Sequence, residues 1–254
     1  QKYAPSGSSL PQLEQNTIQS PFSLVMKQEN LRIFPVKTLI TGRLSMEWNH
    51  ILKRHDYSLK EPDKLATQLT KFLKTKHTKR ILDLGRGAGR HLVYLTKQGF
   101  ETHGIDISKT GLNQTKNKLK TEKLNAALIK CDMKTLPYIS QCFDAVISLF
   151  TIYHNTKQGI QTTIAETHRT LKQKGTILLN FQSKRSSKHG KGTKIEENTY
   201  IQEDGPEKGV IHHFVDETEI HELLLNFKIL KLQREEQTTN GYRRSRWTVL
   251  ATKE

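Results

Sequence analysis

From Arg80 onward the chain alternates short, mostly apolar runs with segments of helical pattern. The runs are RILDL, ETHGID, AALIK, FDAVISL and GTILLNF. Strands of this kind, separated by helices, are typical of a parallel sheet that is covered by helices on both faces. The sequence therefore predicts a doubly wound, Rossmann-like α/β fold.

The end of the chain departs from this alternation. After the helix-like DETEIHELLLN come two strand-like segments, FKILKLQREEQ and RSRWTVLATK, with Asn240 and Gly241 between them. Asn-Gly between two strands is a strong hairpin signal, so one of the two strands must run antiparallel to its neighbours. We expect a mostly parallel sheet with an antiparallel strand in a C-terminal hairpin.

The pattern also suggests how the chain is divided. Residues 1–44 lack periodicity and are rich in Ser, Gln, Pro and Asn, which predicts a tail that is disordered or draped on the surface. One domain over 45–254 would follow, opening with helices over 45–78. Pro62 and Asp63 are start signals for the second helix, whose core-facing residues would be Leu65, Leu69, Phe72 and Leu73. Residues 184–215 are too long for an ordinary connection and are expected to form an insert.

Composition points to a cytoplasmic protein. No stretch approaches the ~18 apolar residues of a membrane span, and the first residues do not resemble a secretory signal. Cys131 and Cys142 are the two cysteines, and both fall in segments that we expect to be buried. Free buried thiols fit a reducing compartment.

The net charge of +16 is compatible with a polyanionic partner such as RNA. The lysines, however, are scattered through nearly every segment, and only SKRSSKHGKGTK and YRRSR cluster. No known nucleic-acid-binding module is visible. A solvated basic surface is the favoured interpretation, and nucleic acid remains possible.

The first predicted strand is followed by a glycine-rich loop with Gly85, Gly87 and Gly89. In a doubly wound sheet this loop lies at the ligand-binding edge, where glycine lets the backbone approach a ligand closely. Asp106 ends the second strand, where its carboxylate could accept both hydroxyls of a ribose, and Ile107 could cover an adenine face. A G-x-G-x-G spacing preceded by Asp83 disfavours a pyrophosphate and favours a ligand with an amine and a sulfonium, namely S-adenosylmethionine rather than NAD.

These residues resemble the class I S-adenosylmethionine-dependent methyltransferases. The resemblance runs from about Trp48 to the C-terminus through LDLGRGAGR, GIDIS, KCDMKTLP, FDAVISLFTIYH, TLKQKGTILL and the terminal hairpin. It implies that Asp132 reaches the adenine amino group and that Met133 packs on the ring. It also implies an Arg86 side chain that points outward. Ser148 is a further candidate cofactor contact, and Trp48 could close over the cofactor from the N-terminal helices or pack in the core.

Two further segments, EWNHILKR and GPEKGVIHHFVDETEIHELL, resemble bacterial and archaeal small-molecule methyltransferases related to tellurite-resistance enzymes. The resemblance implies methyl transfer to a small acceptor by in-line displacement, in which the protein mainly positions the acceptor. The insert at 184–215 would cover the acceptor, and its basic first half would attract an anionic substrate.

Tyr153 and His154 follow the fourth strand directly and are candidate catalytic residues. His212 and His213 lie in the insert; because consecutive side chains of an extended segment point to opposite sides, at most one would enter the pocket, and His213 is the candidate. No third ligand with suitable spacing accompanies the histidines, so no metal is expected. Asp144 is expected to cap or anchor the fourth strand, and Cys131 to be a small buried residue.

Other functions stay open at this point. Methylation of RNA is one, although the N-P-P-[YFW] motif of base-amine methylases is absent after the fourth strand, where SLFTIYH stands. A non-catalytic, methyltransferase-like regulatory or binding protein is another, and a dehydrogenase is the last. The sequence names neither the acceptor nor the oligomeric state.

Overall fold

The computed structural model of the protein describes residues 42–54, 57, 59 and 61–254. The predicted tail at 1–44 therefore lies almost entirely outside the described residues, and the domain limits stay a prediction. In the described part of the chain the central element is a ten-stranded mixed sheet.

Five strands form the parallel part of the sheet, in the order β3-β2-β1-β4-β5. Their bounds are β1 Arg80–Leu84, β2 Glu101–Asp106, β3 Ala127–Lys130, β4 Phe143–Ser148 and β5 Leu171–Ser183. The first four match the predicted runs closely, whereas β5 is longer at both ends. Because β1 pairs with β2 and with β4, the carboxyl ends of these three strands meet at one edge of the sheet.

Six helices flank this sheet among the described residues. They are α1 Gly42–Ile51, α2 Lys64–Thr75, α3 Arg90–Lys97, α4 Lys109–Thr121, α5 Lys157–Thr170 and α6 Glu217–Leu223. Asp63 caps α2 as predicted, since its carboxylate accepts a hydrogen bond from the amide of Leu65 at 2.9 Å. None of the described helices combines the length and apolarity that crossing a membrane requires.

The core lies on both faces of the parallel strands. Ile81, Leu82, Val146 and Ile177 are fully buried, as a sheet covered on two sides requires. Leu69 and Leu73 of α2 are buried in this core, with Leu65 and Phe72 packed partly buried against it, which confirms the predicted face of that helix.

Asp144 ties β4 to the start of β1, where a carboxylate oxygen accepts hydrogen bonds from the amides of Lys79 and Arg80 at 2.9 and 2.8 Å. The other oxygen pairs with Lys172 Nζ at 2.6 Å. The anchoring role predicted for this residue is confirmed.

The C-terminal hairpin is formed by β9 Phe227–Thr239 and β10 Tyr242–Lys253. Asn240 and Gly241 both have positive φ, 50° and 72°, as the predicted two-residue turn requires. It is β10 that runs antiparallel to β5, with Trp247 opposite Phe181. The predicted antiparallel hairpin strand is thereby confirmed.

The insert at 184–215 carries sheet structure of its own. It contains three strands, β6 Thr193–Glu196, β7 Thr199–Ile201 and β8 Ile211–Val215. The middle strand, β7, pairs antiparallel with both β6 and β8, and β8 pairs in parallel with β5 at Gln182 and Ser183. At Gln182, β10 pairs with one edge of β5 and β8 pairs with the opposite edge. Nearer the start of β5, this opposite edge pairs with β4. The insert therefore lies beyond the end of β4, above the carboxyl ends of the strands.

Candidate active site

The glycine loop after β1 folds back on β2. The amides of Gly85 and Arg86 donate to the carbonyl oxygen of Ile105 at 3.0 and 3.1 Å. Gly85 has φ +66°, and a Cβ placed there would lie 2.0 Å from Cγ2 of Thr151. Glycine is thus required at this position both by the backbone conformation and by the close approach of the β4 end.

The structure corrects the prediction for Arg86. Its side chain is buried, and Nη1 donates to the carbonyl oxygens of Gly87 and Gly111 at 3.0 Å each and to the hydroxyl of Thr115. The guanidinium therefore fastens the loop to α4 from within. Local sequence could not reveal this orientation, because the acceptors come from a helix that is distant in the chain.

Asp106 joins the loop to the end of β2. Its Oδ2 accepts from the amide of Gly87 at 2.7 Å, and its Oδ1 accepts from the amide of Ser108 at 2.8 Å. This is a structural role that the sequence did not suggest. Since an ionised carboxylate offers about four acceptor positions, it can still accept hydroxyl donors from the cavity that it lines.

Two predicted cofactor residues do not line the cavity. Asp83 is buried beneath the loop, where burial raises its pKa to about 7 against the opposing charge of Arg86. Ser148 is also fully buried, with its hydroxyl 3.3 Å from the carbonyl oxygen of Leu84. Ser148 thus bonds within the sheet rather than facing a ligand, because the crevice opens at the residues that follow β4.

The predicted adenine-side residues come together. Ile107, Asp132, Met133 and Trp48 line a small cavity of about 50 Å³ that also borders Asp106. Asp132 accepts a hydrogen bond from the amide of Lys134 at 2.9 Å, which orders the turn after β3. Contact of these side chains with an adenine ring stays a prediction. Cys131 is buried and lines the same cavity, and burial raises the pKa of its thiol to about 12.

The main cavity, of about 790 Å³, adjoins the glycine loop and Asp106. Its floor comes from the ends of β1, β2 and β4, and its walls come from α1, the insert and the terminal hairpin. The wall residues include Trp48, Tyr153, Gln182, Lys188, Asp204, Glu207, Tyr242, Arg244 and Arg246.

Three arginines give one wall of this cavity a positive charge. The guanidinium carbons of Arg90 and Arg246 lie 5.2 and 5.1 Å from the ring centre of Phe150, and Arg244 lies on the same hairpin as Arg246. Within the described ranges no carboxylate oxygen lies within 4.0 Å of any of the three guanidinium groups. Their charge is therefore available to a ligand.

Phe150 itself holds an unusual backbone conformation, with φ +62°. A left-handed conformation is costly for a bulky residue and is concentrated at functional sites. The amide of Phe150 donates to the side-chain carbonyl of Asn180 at 2.7 Å, which helps to hold this conformation. The segment that follows β4 is thus locked at the mouth of the crevice.

Tyr153 lines the main cavity as predicted, and burial raises the pKa of its hydroxyl, which the positive charge of Arg246 opposes. His154 is buried behind it and does not line the cavity. Burial lowers the pKa of His154 to about 3, so its imidazole is a poor proton acceptor near neutral pH.

His213 does not lie in the pocket, where it was predicted to be. Its ring bonds to the hydroxyl of Thr199 at 2.6 Å and to Glu219 Oε1 at 2.9 Å, both buried. The alternation along β8 turns this side chain away from the cavity and turns His212 toward Tyr153 and His154. The bonding network of His213 is structural.

Sequence reasoning missed Thr151, Glu207, Arg244 and Arg246 as site residues. YRRSR was visible only as a basic cluster, and Glu207 lay in an insert without an assigned structure. The antiparallel pairing of β10 with β5 brings the arginines to the cavity.

Comparisons with known proteins find methyltransferases of the same fold. A family described as "Methyltransferase domain" matches residues 81–175. YqeM of Bacillus subtilis (strain 168), assigned as a methyltransferase, is 31% identical over 106 residues, which cover 41% of this chain and 42% of YqeM. The chain spans half or less of the length of the curated relatives it matches.

Solved structures show the same fold. TehB from Haemophilus influenzae superposes with a TM-score of 0.61 at 15% identity, covering 82% of this chain and 67% of TehB. The 1,6-didemethyltoxoflavin-N1-methyltransferase of Burkholderia thailandensis, solved with its small-molecule ligand and S-adenosylhomocysteine, gives 0.61 at 15% identity, covering 87% and 92%. Together with the glycine loop and the strand order, these matches show a methyltransferase domain over residues 81–175 and a fold shared with S-adenosylmethionine-dependent methyltransferases.

Proposed function

We propose that the protein transfers the methyl group of S-adenosylmethionine to a small, negatively charged acceptor. The observation that carries this proposal is one cavity that adjoins the glycine loop and Asp106 on one side and, on the other, a wall of arginines that have no carboxylate partner among the described residues. The insert and the hairpin cover this cavity, which suits a small acceptor better than a polymer. The Burkholderia thailandensis structure, with a small molecule bound, supports an acceptor of this size.

The cavity residues would divide into those that bind the cofactor and those that bind the acceptor. Gly85, Gly87 and Asp106 would hold the nucleoside, with Ile107 and Met133 beside the adenine. Arg244 and Arg246 would hold the acceptor. Methyl transfer is an in-line displacement in which the sulfonium loses its charge, so the main contribution of the protein is to hold the acceptor atom behind the methyl carbon.

An anionic acceptor also fits the low pKa of His154, which makes this imidazole a weak base. If the attacking atom is already deprotonated, the step requires no general base, and His154 need not accept a proton. Tyr153, which lines the cavity beside Arg246, would contact the acceptor through its hydroxyl. We also infer a cytoplasmic location, because Cys131 and Cys142 are both buried free thiols.

Cofactor binding is tested by calorimetry with S-adenosylhomocysteine on the Asp106→Asn variant. The substitution keeps the size of the side chain but removes its charge, so we expect a loss of about 1–3 kcal/mol in binding free energy. The matched control is Asp144→Asn, which alters another carboxylate that accepts two backbone amides but lies outside the cavity lining. Equal affinities of Asp106→Asn and wild type would contradict the role of Asp106.

The acceptor class is tested with labelled S-adenosylmethionine and a panel of thiols, amines, hydroxyl compounds and metalloid oxyanions. Each carboxylic acid in the panel is paired with its neutral amide. We expect turnover of anionic members, and a KM for the acceptor that rises at least about tenfold in Arg246→Gln, in line with the loss of a charged hydrogen bond. Preference for the neutral partners, or cofactor binding without turnover across the panel, would overturn the proposal and favour a non-catalytic binding protein.

A further inference from the structure

Three potential metal ligands from separate segments meet beside the main cavity. His154 follows β4, Glu207 lies in the connection between β7 and β8, and His212 lies within β8. One ligand atom from each side chain lies within 4.8 Å of the other two. In the part of the chain that the structure describes, this is the only such group of three.

His212 supplies an independent sign that a ligand belongs here. The side chain is fully buried, and neither ring nitrogen makes a hydrogen bond. Nε2 lies 3.0 Å from Oε2 of Glu207, without the alignment of a hydrogen bond. A buried polar group without a hydrogen bond is costly, and coordination to a shared ion would satisfy Nε2 of His212 and Oε2 of Glu207.

His154 has a ring nitrogen that can serve as a metal ligand. Its Nε2 and Nδ1 lie 3.2 and 3.4 Å from the carbonyl oxygens of Phe150 and Ile211. A neutral imidazole has one N–H group and can donate to only one of these oxygens, which leaves the other nitrogen as an acceptor. Histidines that bind metals commonly donate their second nitrogen to a backbone carbonyl in this way.

We propose that His154, Glu207 and His212 bind a divalent transition-metal ion of the zinc type. Two imidazoles and one carboxylate are a donor set that zinc accepts, and tetrahedral ligands ~2.1 Å from an ion lie roughly 3.4 Å apart. The 3.0 Å separation of Nε2 of His212 and Oε2 of Glu207 is close to this value, and the ligand atom of His154, within 4.8 Å of both, would move inward to complete the set. Three protein ligands leave a fourth position, on the side where Glu207 lines the cavity.

Lys188 is the group that competes with the ion. Its Nζ lies 3.1 Å from Oε2 of Glu207 and neutralises that carboxylate in the structure described. Its side chain is one-quarter exposed, so it can move toward solvent when an ion binds. This site departs from the sequence expectation of no metal, because Glu207 becomes the third ligand only through the folding of the insert.

The experiment uses the full chain after treatment with a chelator, with Co²⁺ as the probe. We expect one equivalent of Co²⁺ to bind and to give the visible absorption of tetrahedral cobalt. Added Zn²⁺ should displace the cobalt and abolish this absorption. His212→Ala and Glu207→Gln should each remove this absorption. His221→Ala, which alters an exposed histidine of α6, is the matched control and should retain it.

Two further measurements keep the outcome decisive. Lys188→Gln should tighten cobalt binding at least about threefold, since it removes the competing cation; a purely structural imidazole–carboxylate network predicts no such gain. Calorimetry with S-adenosylhomocysteine, together with circular dichroism, shows that each variant is folded and separates failure of the metal site from failure of the proposed function. Absence of the cobalt absorption in folded wild type, or its persistence in both ligand variants, would overturn the inference.

Discussion

At the scale of single residues, Asp83 links the stability of the loop region to pH. Burial raises its pKa from 3.8 to about 7. Between these values the unfolded chain releases the proton while the folded chain keeps it, so rising pH favours unfolding. This contribution is complete above about pH 7.

We predict that Asp83→Asn gains stability relative to wild type as pH rises from 4 to 7. The difference in unfolding free energy between Asp83→Asn and wild type should change by ~4 kcal/mol at most over this pH range. Denaturant unfolding at several pH values measures it. Asp144→Asn is the control, because its ion pair and hydrogen bonds lower the pKa of Asp144, and its effect is therefore constant over the same window. A pH-independent difference between wild type and Asp83→Asn would count against a raised pKa.

His213 allows the catalytic prediction to be tested against the structural finding. In His213→Ala the buried hydroxyl of Thr199 and the carboxylate of Glu219 lose their partner, which should cost about 2–4 kcal/mol of unfolding free energy. Affinity for S-adenosylhomocysteine, measured by calorimetry below the melting temperature, should stay within about twofold of wild type, since His213 does not line the cavity and effects away from a site are roughly of this size. Lost turnover with unchanged stability would restore the catalytic role.

Asp106 and Arg86 show what residue-level reasoning can and cannot reach. An acid at the end of the second strand was predictable, because strand ends meet at the ligand-binding edge. That Asp106 also holds the loop, and that Arg86 points inward to α4, depend on atoms brought close by folding. Propensity and spacing carry no information about such partners.

At the scale of secondary-structure elements, the close approach of the glycine loop to the end of β4 can be tested by Gly85→Ala. The new Cβ would meet Thr151 within 2.0 Å, so the loop must move, and we expect cofactor affinity to fall at least about tenfold, equivalent to ~1.4 kcal/mol.

Gly99→Ala is the matched control for Gly85→Ala. Gly99 also has positive φ, +88°, but nothing lies within 4 Å of its missing Cβ. This variant should lose about 1–2 kcal/mol of stability from backbone strain alone and should keep its cofactor affinity. Calorimetry and thermal unfolding measure both effects, and equal cofactor affinities of the two variants would contradict a role for the contact with Thr151.

The elements differ in how far sequence could predict them. Helix caps, hairpin residues and apolar runs are local signals, and Asp63, Asn240 and the β1 run were read correctly. The insert at 184–215 was expected to cover the acceptor, but its strands β6, β7 and β8 were not predicted. Its strands are short and partly exposed, so their pairing depends on β5 more than on their own pattern.

At the scale of the whole molecule, the net charge of +16 bears on the RNA alternative. Scattered lysines contact few phosphates at once, so we predict weak binding to a single-stranded oligoribonucleotide. The slope of log K against log salt should be shallower than about −2, measured by fluorescence anisotropy between 50 and 200 mM salt, roughly the range over which this effect is large. A slope near −5 would favour RNA as the acceptor.

The sequence by itself determined the alternating architecture, the glycine loop, the ribose-side acid and the antiparallel hairpin, because each is encoded by neighbouring residues whose spacing follows backbone geometry. Only the tertiary structure decided which side chains meet in the cavity. Arg246 reaches it through the pairing of β10 with β5, and Glu207 reaches His154 and His212 through the insert. The physical reason is that charge and ligand chemistry depend on distances in space, which no local pattern of residues specifies.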